Sequence, residues 1–435
     1  MRIVDLIQKK KENKEHTREE IEFLVNSFMD GTAEDYQISA WLMAVCLNGL
    51  TIDETTHMTR AFINSGEILD LSDISEHIVD KHSSGGVGDK ITLILIPLLA
   101  AAGIKVAKLS GRGLGMTGGT IDKLESIPDF KTNLDMDAFI KQVKDIGCAI
   151  ASQTKNLTPA DAKFYALRDV TATVDNIGLI SASIISKKIA SGANHIVLDV
   201  KCGKGAFIKT KEDAVKLSET MVEVAKRLGK KVTAVISSMD EPLGTCVGNS
   251  VEVIESIDFL KGKSNQALKE LTFKLAAISL MSVGRFNDEN EANKYLQSLI
   301  DNGSALQKFR ELIINQGGNP DVIDDYSTFK QAKYQKEIKS DKSGFINSID
   351  AMGIAKASKI LGAGRDKKSD NIDFSEGVKL LKLSGEAINE NDSIAIIYTD
   401  KEEKIQEAEE LVKNAFEINE KPITKKELIY GIIGR

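Results

Sequence analysis

The pattern of the chain changes near residue 78, and this change limits the possible folds more than any other feature. The preceding residues read as amphipathic helices with short connections. Thr17 and Glu20 form a capping-box pattern ahead of a helix that extends through Phe28. A second helix is predicted over residues 33–47, and a third opens at Thr51. The chain therefore begins with an all-helical region.

From residue 78 onwards, short β-rich runs alternate with helical patterns. The predicted strands are residues 78–80, 106–109, 195–200 and 232–237. The helical patterns that follow them are residues 90–102, 120–126, 213–228 and 250–260. Alternation of strand and helix predicts a parallel sheet with helices on both faces.

Two further regions interrupt or end this alternation. Helical patterns over residues 158–170 and 180–190 are expected to pack with the N-terminal helices, which makes that domain discontinuous. Beyond about residue 325, turns and the short strands of residues 377–398 predict a small C-terminal domain. A chain of 435 residues is too long for one compact core, so several domains are expected.

The predicted fold class is α/β with a helical domain. A discontinuous all-α domain, a larger α/β domain with a mostly parallel central sheet, and a small C-terminal α+β domain make up the chain. The predicted limits are 1–66 plus about 158–192, then 70–157 plus 193–330, then 335–435.

Charge and composition exclude several classes of protein. The net charge of −7 lacks the basic excess of a nucleic-acid-binding protein. The four cysteines and five histidines show no metal-ligand spacing. The longest apolar run, residues 91–104, is too short to cross a bilayer, and the N-terminus does not read as a signal peptide. We therefore expect a cytoplasmic protein with no membrane partner.

The first segment with a candidate chemical role is KHSSGGVGDK, which begins at Lys81 and lies between a predicted strand and a helix. Its glycines let backbone N–H groups point at a bound anion, and the helix N-terminus favours negative charge. Lys81, Ser83 and Thr92 can add side-chain donors. The alternative is a glycine-rich turn with no ligand. His82 favours a site, because a histidine beside an anion can serve in proton transfer.

A second segment of the same kind follows the next predicted strand. Five glycines lie within nine residues of SGRGLGMTGGTIDKLES, which begins at Ser110. Two such turns at adjacent strand ends of a parallel sheet would meet in one crevice, the usual ligand position in open α/β folds. Lys108, Ser110 and Thr120 could face the same anion. Arg112 and Asp122 are expected to pair with each other and hold the turn.

The second segment resembles the signature of the thymidine and pyrimidine-nucleoside phosphorylases, and KHSSGGVGDK resembles the phosphate loop of that family. The stretches LTPADAKFYALRDVTATV, SASIISKKIA and VLDVKCGKGAF continue the likeness, which extends over essentially the whole chain. In this family phosphate attacks the anomeric carbon of the sugar and the pyrimidine leaves. The resemblance implies a pyrimidine nucleoside and inorganic phosphate as substrates, with no organic cofactor.

The resemblance also assigns roles to individual residues. The phosphate-binding set would be Lys81, Ser83, Thr92, Lys108, Ser110 and Thr120. The pyrimidine would contact Tyr165, Arg168, Ser183 and Lys187. His82, Arg168 and Lys187 would be catalytic, because they would stabilise the charge that develops on the leaving base. Ser183 and Lys187 are four residues apart, so they share one helix face.

Two positions bear on specificity and on ions. Family members restricted to thymidine tend to carry methionine where this chain has Lys108, so we expect the broader pyrimidine-nucleoside specificity. The family's potassium site maps onto Gly88, Lys90, Leu243, Cys246 and Glu255. Backbone carbonyl ligands tolerate changes of side chain. Relatives usually carry threonine where Lys90 stands, and its ammonium could repel or replace potassium.

Two other functions share parts of this pattern. An anthranilate-type phosphoribosyltransferase has the same helical plus α/β plan but would need a pyrophosphate site with acidic residues for magnesium. A non-catalytic nucleoside or phosphate sensor could also use the scaffold, although His82, Arg168 and Lys187 favour an enzyme. The family likeness further implies a homodimer formed through the helical domain.

Overall fold

The computed structural model describes residues 1–113, 118–154, 156–365, 367, 370–422 and 426–435. Residues 114–117 of the second glycine-rich segment lie outside this description. The first part of the chain contains α1 (Ile3–Lys11), α2 (Arg18–Met29), α3 (Asp35–Asn48), α4 (Ile52–Asn64), β1 (Ile78–Ser83), α5 (Ile91–Ala101), β2 (Lys105–Ser110), α6 (Thr120–Leu124), α7 (Met136–Ile146), β3 (Cys148–Ser152), α8 (Pro159–Val170), α9 (Ile177–Ala190), β4 (His195–Cys202), α10 (Lys211–Arg227) and β5 (Lys231–Ser238).

The remainder begins with a short strand and a group of helices and ends in the small domain. It contains β6 (Cys246–Gly248), α11 (Ser250–Leu260), α12 (Gln266–Ser282), α13 (Glu289–Asp301), α14 (Ser304–Asn315), β7 (Tyr334–Lys339), β8 (Gly344–Ile349), α15 (Ala351–Ser358), β9 (Gly377–Leu380), β10 (Ala387–Ile388), β11 (Ser393–Thr399), α16 (Ile405–Ala415), β12 (Phe416–Asn419) and β13 (Ile429–Ile433).

The helical domain is discontinuous, as the sequence predicts. Helices α1–α4 share one buried apolar cluster with α8 and α9, which follow about a hundred residues later. Phe164 of α8 lies at its centre, with its ring 4.9 Å from the ring of Phe28 and 5.5 Å from that of Phe62. The predicted capping box at Thr17 and Glu20 forms, and a second one opens α4. These caps satisfy the first backbone N–H groups of both helices.

The α/β domain is built on a six-stranded sheet in the order β13-β5-β4-β1-β2-β3. Strands β1 to β5 run parallel, and β13 joins the edge of β5 antiparallel. Helix α5 is buried along nearly its whole length, which explains the apolar run in the sequence as a core helix. No helix in the described parts of the chain is long and apolar enough to cross a membrane. The mostly parallel sheet confirms the predicted fold class.

The C-terminal domain contains two small antiparallel sheets, in the orders β10-β8-β12 and β6-β9-β11-β7. Two strands depart from the predicted domain limits. Strand β6 lies within the chain segment of the α/β domain but pairs with β9 of the small domain. Strand β13 lies within the C-terminal segment but completes the large sheet. The two domains thus exchange one strand each, which ties them together.

Candidate active site

The described parts of the two glycine-rich turns follow neighbouring strands at the carboxyl-terminal edge of the large sheet. Strands β1 and β2 are parallel neighbours, with Ile78 opposite Lys105 and Val79 opposite Val106. Each turn follows the carboxyl end of its strand, and α5 and α6 begin after them. This is the edge at which open α/β sheets bind ligands. The predicted meeting of the two turns therefore follows from the strand order.

Lys81 contributes a buried ammonium to this edge. Its side chain is fully buried on β1, and its Nζ lies 3.7 Å from Asp89 Oδ2 and 3.7 Å from Asp199 Oδ2. These distances exceed a hydrogen bond, and Nζ has no hydrogen-bond partner among the described residues. A buried charge without hydrogen bonds is costly, so the arrangement favours an anion that completes its contacts.

The hydroxyl groups assigned to phosphate lie on the same two strand-to-helix connections. Ser83 and Ser110 end β1 and β2, Thr92 lies in the first turn of α5, and Thr120 opens α6. Ser83 Oγ accepts a hydrogen bond from the backbone N–H of Gly85 at 3.2 Å, and its own hydroxyl donates to the carboxylate of Asp89. All four positions therefore lie at the carboxyl ends of β1 and β2 or at the starts of the helices that follow.

Lys108 is held by fixed partners beneath the turns. Its Nζ donates to the carbonyl oxygen of Lys81 at 2.6 Å and lies 3.3 Å from Asp80 Oδ1. Lys188 reaches the same carboxylate from α9, with its Nζ 2.8 Å from Asp80 Oδ2. Burial and the neighbouring Lys188 ammonium lower the pKa of Lys108 to about 7. Lys108 therefore changes its charge near neutral pH.

Sequence reasoning did not single out Lys188, Lys201 or Asp199. Lys201 and Asp199 are fully buried on β4 and form an ion pair at 2.7 Å. Ser237 on β5 donates to Asp199 Oδ1 at 2.6 Å. The signal that could have found them is the parity of β4: Asp199 and Lys201 are two residues apart on a central strand, so both point to one face. Charged residues at such positions indicate a polar network under the site.

His82 lies between the phosphate side and the helical side of the crevice. Burial and the ammonium groups of Lys188, Lys108, Lys81 and Lys187 lower its pKa well below the ordinary value. Lys81 and Lys108 belong to the strands of the sheet, and Lys187 and Lys188 belong to α9 of the helical domain. His82 is therefore neutral at physiological pH, and its ring offers one donor and one acceptor.

Ser183 and Lys187 come together on α9 as their spacing predicts. Lys187 Nζ donates to Ser183 Oγ at 2.7 Å and also to Asp161 Oδ2 of α8. The side chain of Asp161 is buried, and that of Lys187 is partly exposed. The acidic partner fixes the ammonium at the edge of the helical domain, where it can also face a ligand.

Arg168 is buried, and carbonyl oxygens of the loop between α8 and α9 and of the first turn of α9 hold its guanidinium. It donates to Thr173 at 3.1 Å, to Val174 at 2.6 Å and to Leu179 at 3.5 Å. A guanidinium has five N–H donors, so two remain for a ligand. Its central carbon lies 5.8 Å from the ring centre of Tyr165, which is 38% exposed. The structure thus keeps Tyr165 and Arg168 as neighbours.

The predicted pair of Arg112 and Asp122 forms. Arg112 Nη1 donates to Asp122 Oδ1 at 3.1 Å, and its two Nη atoms also contact the carboxylate of Glu125. Asp122 Oδ2 in turn accepts from the backbone N–H of Gly113 at 2.7 Å. These contacts fasten the second turn to α6, which is the structural role expected for both residues.

The five residues mapped onto a potassium site come together, but they do not fit a potassium ion. Lys90 Nζ donates to the carbonyl oxygens of Leu243 at 2.7 Å and Cys246 at 3.1 Å, and lies 2.7 Å from Glu255 Oε2. The carbonyl of Gly88 accepts the backbone N–H of Lys90. The expected ligands thus already surround the ammonium of Lys90.

Three family models match consecutive parts of the chain. Residues 4–66 match the helical bundle domain of a glycosyl transferase family, and residues 75–306 match the α/β domain of that family. Residues 345–419 match the pyrimidine nucleoside phosphorylase C-terminal domain. The matches follow the three domains of the fold in order.

Relatives cover nearly the whole chain. A pyrimidine-nucleoside phosphorylase of Staphylococcus haemolyticus is 47% identical over 92% of this chain and 93% of the relative. One of Geobacillus stearothermophilus is 45% identical over 100% of both. Among solved structures, anthranilate phosphoribosyltransferase of Thermus thermophilus shares the fold, with a TM-score of 0.58, 17% identity, and coverage of 72% of this chain and 99% of that one. The chain belongs to the pyrimidine-nucleoside phosphorylase family, whose members are enzymes of the glycosyl transferase type.

Proposed function

We propose that this enzyme catalyses the reversible phosphorolysis of uridine, thymidine and deoxyuridine. The products are a free pyrimidine base and ribose or deoxyribose 1-phosphate, and the reaction serves nucleoside salvage. The observation that carries the proposal is the buried ammonium of Lys81, which has two carboxylates nearby but no hydrogen-bond partner among the described residues, with His82 next to it on β1. This is an oxyanion site built beside a group that can contact a leaving base.

The reaction divides between the two sides of the crevice. A phosphate oxygen forms a bond to the anomeric carbon while the bond from that carbon to the pyrimidine nitrogen breaks, and its electron pair leaves with the base. The anionic base then gains a proton, which balances the proton that hydrogen phosphate gives up. The sugar becomes cation-like, so the bound phosphate stabilises it. The turns and Lys81 hold that phosphate, and Ser83, Thr92, Ser110 and Thr120 can donate to it.

The developing negative charge on the base is met from the helical side. Lys187 and Arg168 supply positive charge there, and Ser183 is held by Lys187. Donors that are fixed before the reaction starts need no reorganisation, and each is worth about 3–4 kcal/mol of barrier in comparable sites. Because Asp161 and three backbone carbonyls already orient these groups, the site is organised before the base binds.

His82 acts in this proposal as a neutral hydrogen-bond donor to the carbonyl oxygen O2 of the pyrimidine. The low pKa of its imidazole disfavours a protonated side chain waiting in the free enzyme. A donor of this kind strengthens its bond as the base becomes anionic, which lowers the barrier rather than the ground state. We infer that Lys108 distinguishes ribose from deoxyribose and that closure of the helical side over the sheet excludes water.

A cytoplasmic homodimer formed through the helical domain completes the proposal. Exposed apolar side chains of α1, α3 and α8 support such a contact. They include Val4, Tyr36, Leu47 and Val170. Light scattering of the purified protein should give twice the chain mass, and a single-chain mass at assay concentrations would contradict the dimer.

The test of the function is release of free base from uridine, thymidine, deoxyuridine and cytidine, each with and without inorganic phosphate. We expect phosphate-dependent release from the first three and formation of a sugar 1-phosphate. No release from any of the four nucleosides, together with release of base from a nucleoside 5′-monophosphate that needs pyrophosphate and magnesium, would favour a phosphoribosyltransferase instead. Binding of uridine and phosphate without release of base would make the protein a sensor.

A further inference from the structure

Lys90 lies between the first glycine-rich turn and α5, and its side chain is fully buried. An ammonium has three N–H donors. Here they meet three acceptors: the carbonyl oxygens of Leu243 and Cys246, and Glu255 Oε2. The charge and the hydrogen-bonding capacity of Lys90 are thus both satisfied inside the protein.

Two glycines make room for this ammonium. Gly244 has a φ of +83°, and a Cβ there would lie 2.6 Å from Lys90 Nζ and 2.7 Å from Glu255 Oε1. Gly88 has a φ of +70°, and a Cβ there would lie 2.7 Å from the carbonyl oxygen of Leu243. Any side chain at either position would enter the group, so the surrounding backbone is shaped around a cation of this size.

The carboxylate of Glu255, which pairs with Lys90, is also held in place by hydrogen bonds. Glu255 Oε1 accepts from the backbone N–H of Thr245 at 2.7 Å, and Oε2 accepts from that of Cys246 at 2.9 Å. Burial works against the charge of Lys90, but the carboxylates of Glu255 and Glu252 outweigh it and raise the pKa of Lys90. The buried lysine therefore stays an ammonium.

We propose that the ammonium of Lys90 is a built-in monovalent cation that makes the fold and activity of this chain independent of potassium. Carbonyl oxygens with one carboxylate form a ligand set suited to a potassium-sized cation, and an ammonium group is close to that size. The covalent tether places the ammonium among these oxygens without a binding equilibrium. We call the carbonyl oxygens of Leu243 and Cys246 and the carboxylate of Glu255 the cradle; with Lys90 Nζ bound to them, it has no vacant position for a free ion.

The position of Lys90 explains what such a cation does. It connects the phosphate-binding turn before α5 to residues 243–246, which lead into β6, and to α11, which carries Glu255. Strand β6 pairs with β9 of the C-terminal domain. The ammonium therefore braces the phosphate-binding turn against the junction of two domains, and losing it should loosen both.

The first experiment needs no variant. The melting temperature of the natural chain is measured in potassium chloride and in tetramethylammonium chloride at equal ionic strength, without phosphate, so that activity plays no part. The initial rate is then compared in potassium and tetramethylammonium phosphate. We expect the same melting temperature and the same rate in both salts. A melting temperature that rises specifically with potassium overturns the proposal.

The second experiment empties the cradle. Lys90→Thr removes the ammonium and leaves space, whereas Lys90→Met removes the charge but fills the space and serves as the matched control. We expect Lys90→Thr to melt below the natural chain and to gain about 5–10 °C from saturating potassium or ammonium chloride relative to tetramethylammonium chloride. Lys90→Met should melt lower as well but gain nothing specific from either ion.

The remaining outcomes decide against the proposal. A folded Lys90→Thr variant that gains no stability from potassium or ammonium shows that the cradle is not a cation site. An equal gain by Lys90→Met shows that the ion acts elsewhere. If neither variant folds, the salt comparison on the natural chain decides alone. All melting measurements remain valid if the proposed phosphorolysis fails, so the two proposals can be distinguished.

Discussion

At the scale of single residues, the main feature of the site is a group of buried lysine side chains around His82. Burial lowers the pKa of His82, and the ammonium groups of Lys188, Lys108 and Lys81 act in the same direction. A histidine whose pKa is depressed in the folded protein is neutral above that pKa. His82 should therefore be neutral near physiological pH, and we expect it to act by hydrogen bonding.

This state of His82 predicts how its variants behave. His82→Ala should lower kcat by about 10²–10³-fold, because one preorganised donor at the developing charge is lost. His82→Asn, which keeps an N–H donor but cannot hold a proton near neutral pH, should retain more of the rate than the alanine variant. The measurement is kcat for uridine across the range from weakly acidic to weakly basic pH. Equal losses in both variants would contradict a hydrogen-bonding role.

Lys108 makes a second prediction at this scale, which concerns specificity. Lys108→Met should lower kcat/KM for uridine by about 10–100-fold and for thymidine by less, because only the ribose offers a 2′-hydroxyl to the ammonium. Asp80 keeps its partner Lys188 in the variant, so the fold should survive. Equal losses for both nucleosides would remove Lys108 from sugar recognition.

The pKa of Lys108 adds a pH dependence with a definite sign. A lysine with a folded pKa of about 7 is charged below that pH and neutral above it. Since a charged donor makes the stronger hydrogen bond, the preference for uridine over thymidine should fall as pH rises through about 7. The ratio of the two kcat/KM values should be flat with pH in Lys108→Met. A flat ratio in the natural chain would refute this role of Lys108.

Sequence reasoning succeeded for residues whose partners are close in the chain. Ser183 and Lys187 share a helix face as their spacing predicts and are in contact, and the expected pair of Arg112 and Asp122 forms. It missed Lys188, Lys201 and Asp199, because the contacts of these residues depend on which strands and helices lie side by side. Which strands adjoin is a property of the whole sheet, and no local pattern encodes it.

At the scale of elements, helices with capping boxes were easier to predict than strands. The sequence predicts strands at residues 78–80 and 106–109, and both are longer in the structure. It gives no sign of β3, whose residues Cys148–Ser152 are mostly small and carry one β-branched side chain. Strand β13 was also missed, since Gly431 interrupts its pattern and its register shifts there. Burial by neighbours, more than propensity, makes both segments strands.

A buried ion pair between Lys10 and Glu54 joins helices α1 and α4. From it we predict an effect on stability at the scale of elements. Glu54 receives Lys10 Nζ at 2.8 and 2.7 Å on its two oxygens, while it also caps α4 together with Thr51. Both side chains are buried. Glu54→Ala should lower the free energy of unfolding by about 3–5 kcal/mol, because it leaves a buried ammonium without its partner.

The control for this pair is the double substitution Lys10→Met with Glu54→Leu. Replacing both charges by apolar groups of similar volume removes the unpaired ammonium, so the double variant should be more stable than Glu54→Ala alone. Urea denaturation of the natural chain and both variants measures the difference. If the double variant were less stable than the single one, the cost would come from the lost cap and packing, and the ion-pair account would be wrong.

At the scale of the whole molecule, the α/β and C-terminal domains are held together by strand exchange. The predicted domain limits put residues 246–248 with the α/β domain and residues 429–433 with the C-terminal domain, but the strands β6 and β13 that these residues form pair with the other domain in each case. Domain limits read from a chain assume that each segment stays with its neighbours, whereas here the chain returns to the large sheet at its end. The domain boundary is therefore a set of shared strands rather than a linker.

This exchange predicts what happens when the chain is shortened. Removing residues 428–435 deletes β13, which pairs with Ala234, Val235, Ile236 and Ser237 of β5. The loss of about four backbone hydrogen bonds should lower the free energy of unfolding by roughly 2–4 kcal/mol. Strand β5 would become an exposed edge, and open edges of apolar strands invite pairing with other chains. The shortened protein should therefore melt lower and form higher-mass species in light scattering.

Removing Arg435 alone is the matched control for this truncation. It breaks an ion pair with Glu289, at 2.7 Å, and a weak contact with the sulfur of Met281, and it leaves β13 on the sheet. Exposed ion pairs contribute little, so this variant should melt like the natural chain and stay free of aggregates. If both proteins lost the same stability, the terminal charge would be the important contact. The difference in stability between the two shortened proteins therefore measures the contribution of β13. Because β13 comes from the C-terminal segment of the chain, it covers the edge of the large sheet only while that segment is attached.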